Sequence, residues 1–173
     1  MTGTYTIRQL EANDAEAWAM LRQEALELHP LAFGASPPDD ADQLVQAFTR
    51  IIVTEREHVV FGAFAGNSVV GIVGIRRHTG QKQQHKTMLW GMYVTASHRG
   101  AGVGERLLSA AIEQARLWPG IEQVCLAVSD VAAEARKLYE KFGFREWGRE
   151  PRAICCQGQC ADEMHMVLEL PGG

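Results

Sequence analysis

The segment Arg99–Gly104 has the sequence RGAGVG, in which three glycines alternate with other residues after an arginine. An apolar, β-rich run precedes this segment, and an amphipathic run follows it at once. A glycine loop that opens a helix presents backbone N–H groups and the positive end of the helix dipole to an anion. A side chain at Gly102 or Gly104 would hold a phosphate away from those groups. The spacing predicts a phosphate site, and a tight strand-to-helix turn is the alternative explanation for the same glycines.

Two common phosphate-binding loops do not fit the residues that follow. A P-loop requires lysine and then serine or threonine after its last glycine, whereas Glu105 and Arg106 follow Gly104. The dinucleotide fingerprint requires a third glycine within an all-parallel βαβ unit, and Glu105 occupies that position. The strands before the loop are joined by short turns that are typical of hairpins. The phosphate is therefore expected to belong to another kind of ligand.

The elements that must position this loop follow from hydrophobic periodicity. The predicted order is a strand, two helices, three strands, a helix, a strand, a helix and two strands. Short turns make the three consecutive strands antiparallel, and the strand–helix–strand step through Gly104 predicts a right-handed parallel crossover. The predicted fold class is α/β, with a mixed sheet of six to seven strands and helices on both faces. Residues 1–173 are expected to form a single domain.

Local signals predict the ends of several elements. Asn13 is the expected N-cap of the first helix, with Glu16 completing a capping box. One face of that helix is expected to carry Trp18, Leu21, Ala25 and Leu28. The second helix is predicted over 40–56, where Asp39, Asp40 and Asp42 complement its dipole or attract a cationic amine. A hairpin around Gly158 is expected to close the chain.

Two segments resemble the GNAT superfamily of acyl-CoA-dependent N-acyltransferases. Residues 89–115 are similar to the family's strand, pyrophosphate loop and helix, and residues 124–148 to its next strand, helix and strand. The landmarks are the pairs Leu138-Tyr139 and Gly143-Phe144. The resemblance implies that the phosphate is the pyrophosphate of coenzyme A. It also implies an N-acetyltransferase that transfers acetyl from acetyl-CoA to a primary amine by direct attack in a ternary complex.

The resemblance further implies the residues of the site. Those expected to bind the cofactor are Met92, Tyr93, Val94, Arg99, Gly100, Ala101, Gly102, Val103, Gly104 and Ala132. The Met92 N–H is expected nearest the thioester oxygen, and Tyr139 matches the general acid that protonates the departing sulfur. A tyrosine pKa of about 10 suits a donor that stays protonated at neutral pH. By its position alone, Tyr139 also fits a core residue on an amphipathic helix face.

Gly91 interrupts the apolar strand before the loop. A glycine in a strand interior indicates a β-bulge or a close approach of another group. A bulge would part this strand from the run VCLAV and leave backbone groups unpaired, so that the pantetheine arm could bind to them as a strand would. The alternative is that Gly91 makes room for its neighbour Trp90.

Two positions depart from the family pattern. Many members carry asparagine where this chain has Ala132, and Ser129 or Asp130 is the expected substitute as a helix cap or ligand contact. The strand TMLWGMYV contains no carboxylate that could act as a general base. Glu24 and His78 are the candidates for that role, although solvated surface positions explain both equally. These departures support an alternative function as a non-catalytic acyl-CoA-binding sensor or interaction module.

Composition limits the partners. A formal net charge of −4 argues against nucleic-acid binding through bulk electrostatics. No apolar run reaches the length of a membrane span, and the first ten residues lack the order of a secretory signal. We therefore expect a cytoplasmic protein with no nucleic-acid or membrane partner, whose acceptor is a small-molecule or protein amine. The resemblance adds a homodimer as the oligomeric state to test.

Three of the four cysteines lie in the run CCQGQC, at Cys155, Cys156 and Cys160, and the fourth is Cys125. Their spacing is not that of a zinc site. They are expected to be reduced thiols with a structural role, and no metal is expected. Cys125 lacks a histidine that would activate it as a nucleophile, which favours a core thiol.

Overall fold

The computed structural model describes residues 4–38, 41–54 and 56–171, which form a seven-stranded sheet with helices packed against it. In chain order the elements are β1 (Tyr5–Gln9), α1 (Ala15–Leu28), α2 (Ala41–Thr54), β2 (His58–Ala65), β3 (Ser68–Arg77), β4 (Lys86–Val94), α3 (Val103–Leu117), β5 (Gln123–Ser129), α4 (Ala133–Lys141), β6 (Arg145–Cys156) and β7 (Gln159–Glu169). This is the predicted order. Asp39 and Asp40 lie outside the described residues, and Asp42 lies in the first turn of α2.

The sheet has the strand order β1-β2-β3-β4-β5-β7-β6. Neighbouring strands are antiparallel except for β4 and β5, which run parallel. Helix α3 connects these two strands, because a parallel pair needs a crossover of that length. The predicted α/β fold, with antiparallel N-terminal strands and one parallel crossover, is confirmed.

Two hydrophobic cores cover opposite faces of the sheet, and the adjacent β2 residues Val59 and Val60 contribute to one core each. On one face, α3 buries residues at the spacing of a single helix stripe. These are Val103, Leu107, Leu108, Ala111, Ile112 and Ala115. On the other face, Trp18 of α1 stacks on Phe48 of α2 at 5.0 Å between ring centroids. None of the helices in the described ranges is long and apolar enough to cross a membrane.

The start of α1 differs from the prediction. A short 3₁₀ turn begins after Glu11, and the Asp14 carboxylate accepts the Glu11 backbone N–H at 2.8 Å. Arg8 pairs with the same carboxylate at 2.7 Å and holds its pKa below the usual value. Asn13 is therefore not the N-cap, because Asp14 provides the stronger, charge-assisted contacts. The buried face is otherwise as predicted, except that Leu28 is 62% exposed at the helix end.

The predicted hairpin around Gly158 is present between β6 and β7. Cys155 and Cys160 face each other across it and form a disulfide. The expectation that all four cysteines are reduced thiols is therefore wrong for this pair, since the hairpin register brings the two side chains together. Cys125 and Cys156 are free thiols.

Gly74 in β3 makes room for the indole of Trp90, its partner in β4. A Cβ at Gly74 would lie 2.1 Å from the Cε2 atom of Trp90. We expect Gly74→Ala to lower the free energy of unfolding by about 1–3 kcal/mol, the usual cost of overpacking. Urea denaturation followed by tryptophan fluorescence measures this loss.

Gly148→Ala is the matched control in β6, where a Cβ would meet no atom within 4 Å. Its free energy of unfolding should change by no more than about 0.5 kcal/mol. Equal stability of the two variants would contradict the close contact between Gly74 and the indole.

Candidate functional site

Strand β4 contains one extra residue relative to its neighbour β3. Ile72 of β3 pairs with Tyr93 of β4, and Gly74 pairs with Trp90. Between these two pairs β3 advances by two residues, whereas β4 advances by three. Gly91, inside this stretch, has a φ of +62°, a left-handed conformation that favours glycine. The β-bulge predicted at Gly91 is confirmed.

The bulge exchanges the faces to which β4 side chains point. In a regular strand residues i and i+2 share a face. Here Leu89, Met92 and Val94 contact the core under α3, whereas Trp90 and Tyr93 contact the core under α1. Leu89 and Met92 share a face although they are three residues apart, because the strand contains the extra residue. Met92 is thereby directed toward α4 rather than α1.

The bulge also coincides with the point where β4 and β5 separate. The parallel ladder joins only Lys86–Met88 to Gln123–Cys125. Beyond it a cavity of about 90 Å³ lies between the strands. Its lining residues are Ala32, Phe33, Leu89, Trp90, Gly91, Met92, Leu126, Ala127, Val128, Ala132, Ala135 and Tyr139. Within the described ranges, the β4 backbone that faces this cavity has no strand partner on the β5 side.

The glycine loop lies at the C-terminal end of β4 and leads into α3. Gly100 and Gly102 have φ values of +73° and +76°, and Gly102 is the N-cap of α3. A Cβ at either position would meet no protein atom within 4 Å, so the space in front of the loop is open. The first N–H groups of a helix have no partner inside it and are directed out of its end. The loop therefore has the geometry of an anion site.

Gly104 and Val103 contribute differently from the two glycines before them. A Cβ at Gly104 would lie 3.3 Å from Leu138 and 3.4 Å from the terminal methyl of Met92. The expectation that a side chain at Gly104 would hold a phosphate away is wrong, because such a side chain would point toward Leu138 and Met92. Gly104 instead lets α3 approach α4 and β4. The Val103 side chain is buried in the core, which leaves only its backbone for a ligand.

The side chain of Arg99 makes its contacts within the protein. Its Nε donates to the Val94 carbonyl at 2.9 Å, and its Nη2 lies 3.1 Å from His29 Nε2. The guanidinium also lies 5.5 Å from the Tyr93 ring centroid. Burial, with the charge of Arg99 added, lowers the pKa of His29. Arg99 therefore ties the loop to β4 and the end of α1. Its backbone N–H donates to the Ala96 carbonyl at 3.3 Å, so Arg99 has no free backbone donor for a phosphate.

Tyr139 in α4 lies at the junction of the core and the cavity. The residue is 6% exposed, and its ring packs edge-on against Phe144. Its hydroxyl donates to the Met92 sulfur at 3.5 Å, a weak bond that a better acceptor can replace. Burial raises the pKa of Tyr139 above that of an ordinary tyrosine. Both interpretations of the sequence describe its position, because the residue packs in the core and also lines the cavity.

The two candidate bases, Glu24 and His78, lie in different places: Glu24 contacts Tyr93 of β4, and His78 lies far from the bulge. The Tyr93 hydroxyl donates to a Glu24 carboxylate oxygen at 2.7 Å, and burial together with this bond raises the pKa of Tyr93 to about 12. The His78 backbone N–H binds the carbonyl of Lys86, at the opposite end of β4. The structure does not bring His78 to the cavity.

Ala132 lies at the cavity wall as the N-cap of α4. It has no side-chain cap, and the Ser129 hydroxyl is buried without a hydrogen-bond partner among the described residues. Asp130 is exposed and donates its backbone N–H to Asp162. Neither expected substitute for the family's asparagine caps this helix.

Sequence reasoning missed Arg22. It lies one turn after Trp18 in α1, and its guanidinium carbon is 5.1 Å from the ring centroid of the cavity residue Phe33. A Cβ at Gly91 would lie 3.4 Å from Arg22 Nη1. The sequence does contain a signal for Arg22, since it is a cation on the same helical stripe as Trp18 and Ala25. An amphipathic surface helix normally has apolar residues at such positions.

The chain is similar to known acetyltransferases in sequence and in fold. The Acetyltransferase (GNAT) family model matches residues 18–144. The aminoglycoside N(6′)-acetyltransferase type 1 of Stenotrophomonas maltophilia is 34% identical over 150 residues, which cover 83% of this chain and 88% of that protein. N-acetyltransferase 8 of Homo sapiens is 24% identical over 124 residues, which cover 71% of this chain but only 54% of the human protein.

One solved structure is especially informative about the fold. The GNAT superfamily phosphinothricin acetyltransferase of Sinorhizobium meliloti, in complex with acetyl-CoA, superposes with a TM-score of 0.82 at 20% identity. The match covers 96% of this chain and 89% of that chain. At this identity the likeness concerns the fold.

A carboxylate at Gly102 should abolish coenzyme A binding if the loop is the anion site. Gly102→Glu places a side chain and a negative charge in the open space at the N-terminus of α3. We expect no saturable heat in isothermal titration with coenzyme A.

Gly66→Glu is the matched control, because Gly66 has a φ of +59° and a Cβ there also meets no atom within 4 Å. It incurs the same left-handed backbone cost of about 1–2 kcal/mol in the β2–β3 turn. Coenzyme A should bind it as it binds the unsubstituted protein. Unchanged affinity in Gly102→Glu would exclude the loop as the phosphate site.

Proposed function

The chain belongs to the acetyltransferase (GNAT) family, and we propose that it transfers an acetyl group from acetyl-CoA to a primary amine by direct attack in a ternary complex. The observation that carries this proposal is the junction of two features at the end of β4. The open glycine loop begins α3, and the cavity between β4 and β5 starts beside it. An extended ligand with a phosphate end and a reactive end fits that junction.

The residues of the chain then have separate tasks. Backbone amides from Gly100 to Gly104 bind the pyrophosphate. The edge of β4 that has no strand partner binds the pantetheine arm at Met92 and Val94, where the Val94 carbonyl already accepts a hydrogen bond from Arg99. When bound, acetyl-CoA supplies an activated thioester. The Met92 N–H donates to the thioester carbonyl oxygen and stabilises the negative charge that develops there.

Tyr139 completes the transfer as a general acid. The amine nitrogen forms a bond to the acetyl carbon, the bond from that carbon to sulfur breaks, and the phenol donates its proton to the departing thiolate. The proposal is supported by the Tyr139 hydroxyl lying 3.5 Å from the Met92 sulfur, since both residues line the cavity. Among the described residues, the cavity lining contains no carboxylate and no histidine. Solvent first removes one proton from the ammonium form of the acceptor, so that a neutral amine attacks. After the attack the nitrogen loses a second proton to solvent, and solvent returns a proton to the Tyr139 phenolate.

A thiol-release assay with a panel of amines tests the proposal. Purified protein is mixed with acetyl-CoA and with aminoglycosides, phosphinothricin, amino acids, polyamines or peptides, since the named relatives span several acceptor types. Release of coenzyme A above background, with a mass gain of one acetyl group on the amine, supports acetyl transfer. Saturable acetyl-CoA binding without release for any amine would support the alternative, a non-catalytic acyl-CoA sensor.

The sensor remains the second candidate because of the uncapped start of α4 at Ala132 and a cavity without a base among its described lining residues. The same panel separates the two functions. Size-exclusion chromatography with light scattering tests whether either function operates in a homodimer.

Tyr139→Phe should lower kcat about 100-fold, within the usual contribution of a general acid, while the KM for acetyl-CoA stays similar. The variant loses only a weak hydrogen bond to sulfur, so it should fold normally. Tyr5→Phe, on β1, is the control and should retain full turnover. A Tyr139→Phe enzyme with unchanged kcat would leave Tyr139 as a core residue only.

The pH dependence of kcat provides a second test of Tyr139. A general acid must be protonated, and burial raises the pKa of Tyr139 above its ordinary value. The alkaline loss of activity should therefore begin above about pH 10, the ordinary tyrosine pKa. If the kcat of the unsubstituted enzyme fell with rising pH already below pH 10, and this fall were absent in Tyr139→Phe, the raised pKa would be contradicted.

A further inference from the structure

Arg22 lies behind two cavity-lining residues, Phe33 and Gly91, and has no anionic partner among the described residues. Its Nη1 is buried and donates to no acceptor among the residues that the structure describes. The guanidinium instead lies against the ring of Phe33. Burial lowers the pKa of Arg22, whereas the carboxylate of Asp14 raises that of Arg8.

Arg22 lies close to the cavity without lining it. Arg22 as a whole is only half-buried. It is separated from the cavity by Gly91 and Phe33, two of the lining residues. Gly91 has no side chain, and a Cβ there would lie 3.4 Å from Nη1 and partly cover it. The bulge glycine thus places no side chain between Nη1 and a group that enters beside β4.

Two other buried donors near the bulge also lack acceptors. The indole N–H groups of Trp18 and Trp90 are buried without a hydrogen-bond partner among the described residues. The two rings are in edge contact at 6.4 Å, and Trp90 lines the cavity. The nearby Glu24 carboxylate already accepts a hydrogen bond from Tyr93. The Trp90 Nε1 lies against Gly74 of β3, so these donors lie in the buried region beneath the bulge and not on the cavity surface.

Buried polar groups are normally paired, and an unpaired buried cation is costly. A ligand that brings a carboxylate would satisfy Arg22 with charge-assisted hydrogen bonds. A polycationic amine would meet repulsion at the same place. From this we infer that Arg22 selects acceptor amines that also carry a carboxylate, so that amino acids or close analogues are the substrate class. The inference rests on the proposed acetyl transfer and names its acceptor.

The first test compares acceptors that differ only in this anionic group. Each L-amino acid is offered beside its α-amide at saturating acetyl-CoA, and thiol release is measured. For the acids that react, kcat/KM should exceed that of the amide about 10- to 100-fold, the size of one charge-assisted hydrogen bond. The amides have the more acidic and therefore more often neutral amine, so amine reactivity cannot produce this preference.

The second test removes the charge. Arg22→Met should raise the KM for the acids about 10- to 100-fold and change kcat/KM for the amides by less than about twofold. Arg22→Lys, which keeps a cation, should restore part of the preference. Arg116→Met is the control, because Arg116 pairs with Glu113 on the exposed side of α3. It should leave both acceptor classes unchanged.

Several results would overturn the inference. Equal losses for acids and amides in Arg22→Met would show a structural role alone. A preference of the unsubstituted enzyme for amides or polycationic amines would exclude the carboxylate. Since Arg22→Met removes a buried charge, its Tm should stay equal or rise. If Arg22→Met does not fold, the inference is tested by Arg22→Lys and by the ratio of acid to amide turnover in the unsubstituted enzyme.

Failure of the proposed function gives a different pattern. No thiol release with any amine contradicts acetyl transfer but leaves the anion subsite open to a binding test. With saturating coenzyme A, N-acetyl-L-amino acids should then raise the Tm, and their α-amides should not. Equal or absent stabilisation by the two series would overturn the subsite.

Discussion

Backbone N–H and C=O groups inside a sheet require partners, and the extra residue at Gly91 removes those partners from one edge of β4. The strand keeps its pairing with β3, yet its parallel ladder with β5 ends at Met88. The resulting cavity has a polar backbone edge on one side and Tyr139 on the other. The same bulge turns Met92 toward α4 and Trp90 toward α1. Ligand binding, catalysis and acceptor selection in our account all depend on it.

The two ends of this cavity have complementary chemistry. At one end, the left-handed glycines and the first turn of α3 offer backbone donors to a phosphate. At the other end, Arg22 lies behind Gly91 and Phe33, where in our proposal it binds the carboxylate of the acceptor. The buried phenol of Tyr139 lies between them, where burial keeps its proton in place. One side chain, Arg99, links the ends by binding both β4 and His29.

Much of the fold was predictable because it follows from local signals. Strand and helix order, the parallel crossover and the bulge at Gly91 each depend on a few neighbouring residues. What failed depends on contacts between distant residues. Gly104 serves helix packing because Leu138 lies opposite, and Arg8 moves the start of α1 to Asp14. The disulfide followed from hairpin register, and Arg22 became visible only when α1 was packed against the bulge.

The central claim is that loop amides and the free edge of β4 bind one ligand together. Amide resonances of a ¹⁵N-labelled protein, followed during titration with coenzyme A, test it most directly. The account predicts large shifts and slowed hydrogen exchange at Gly100, Gly102, Val103 and Met92, saturating together at one equivalent. Saturable binding that leaves these amides unchanged would contradict it.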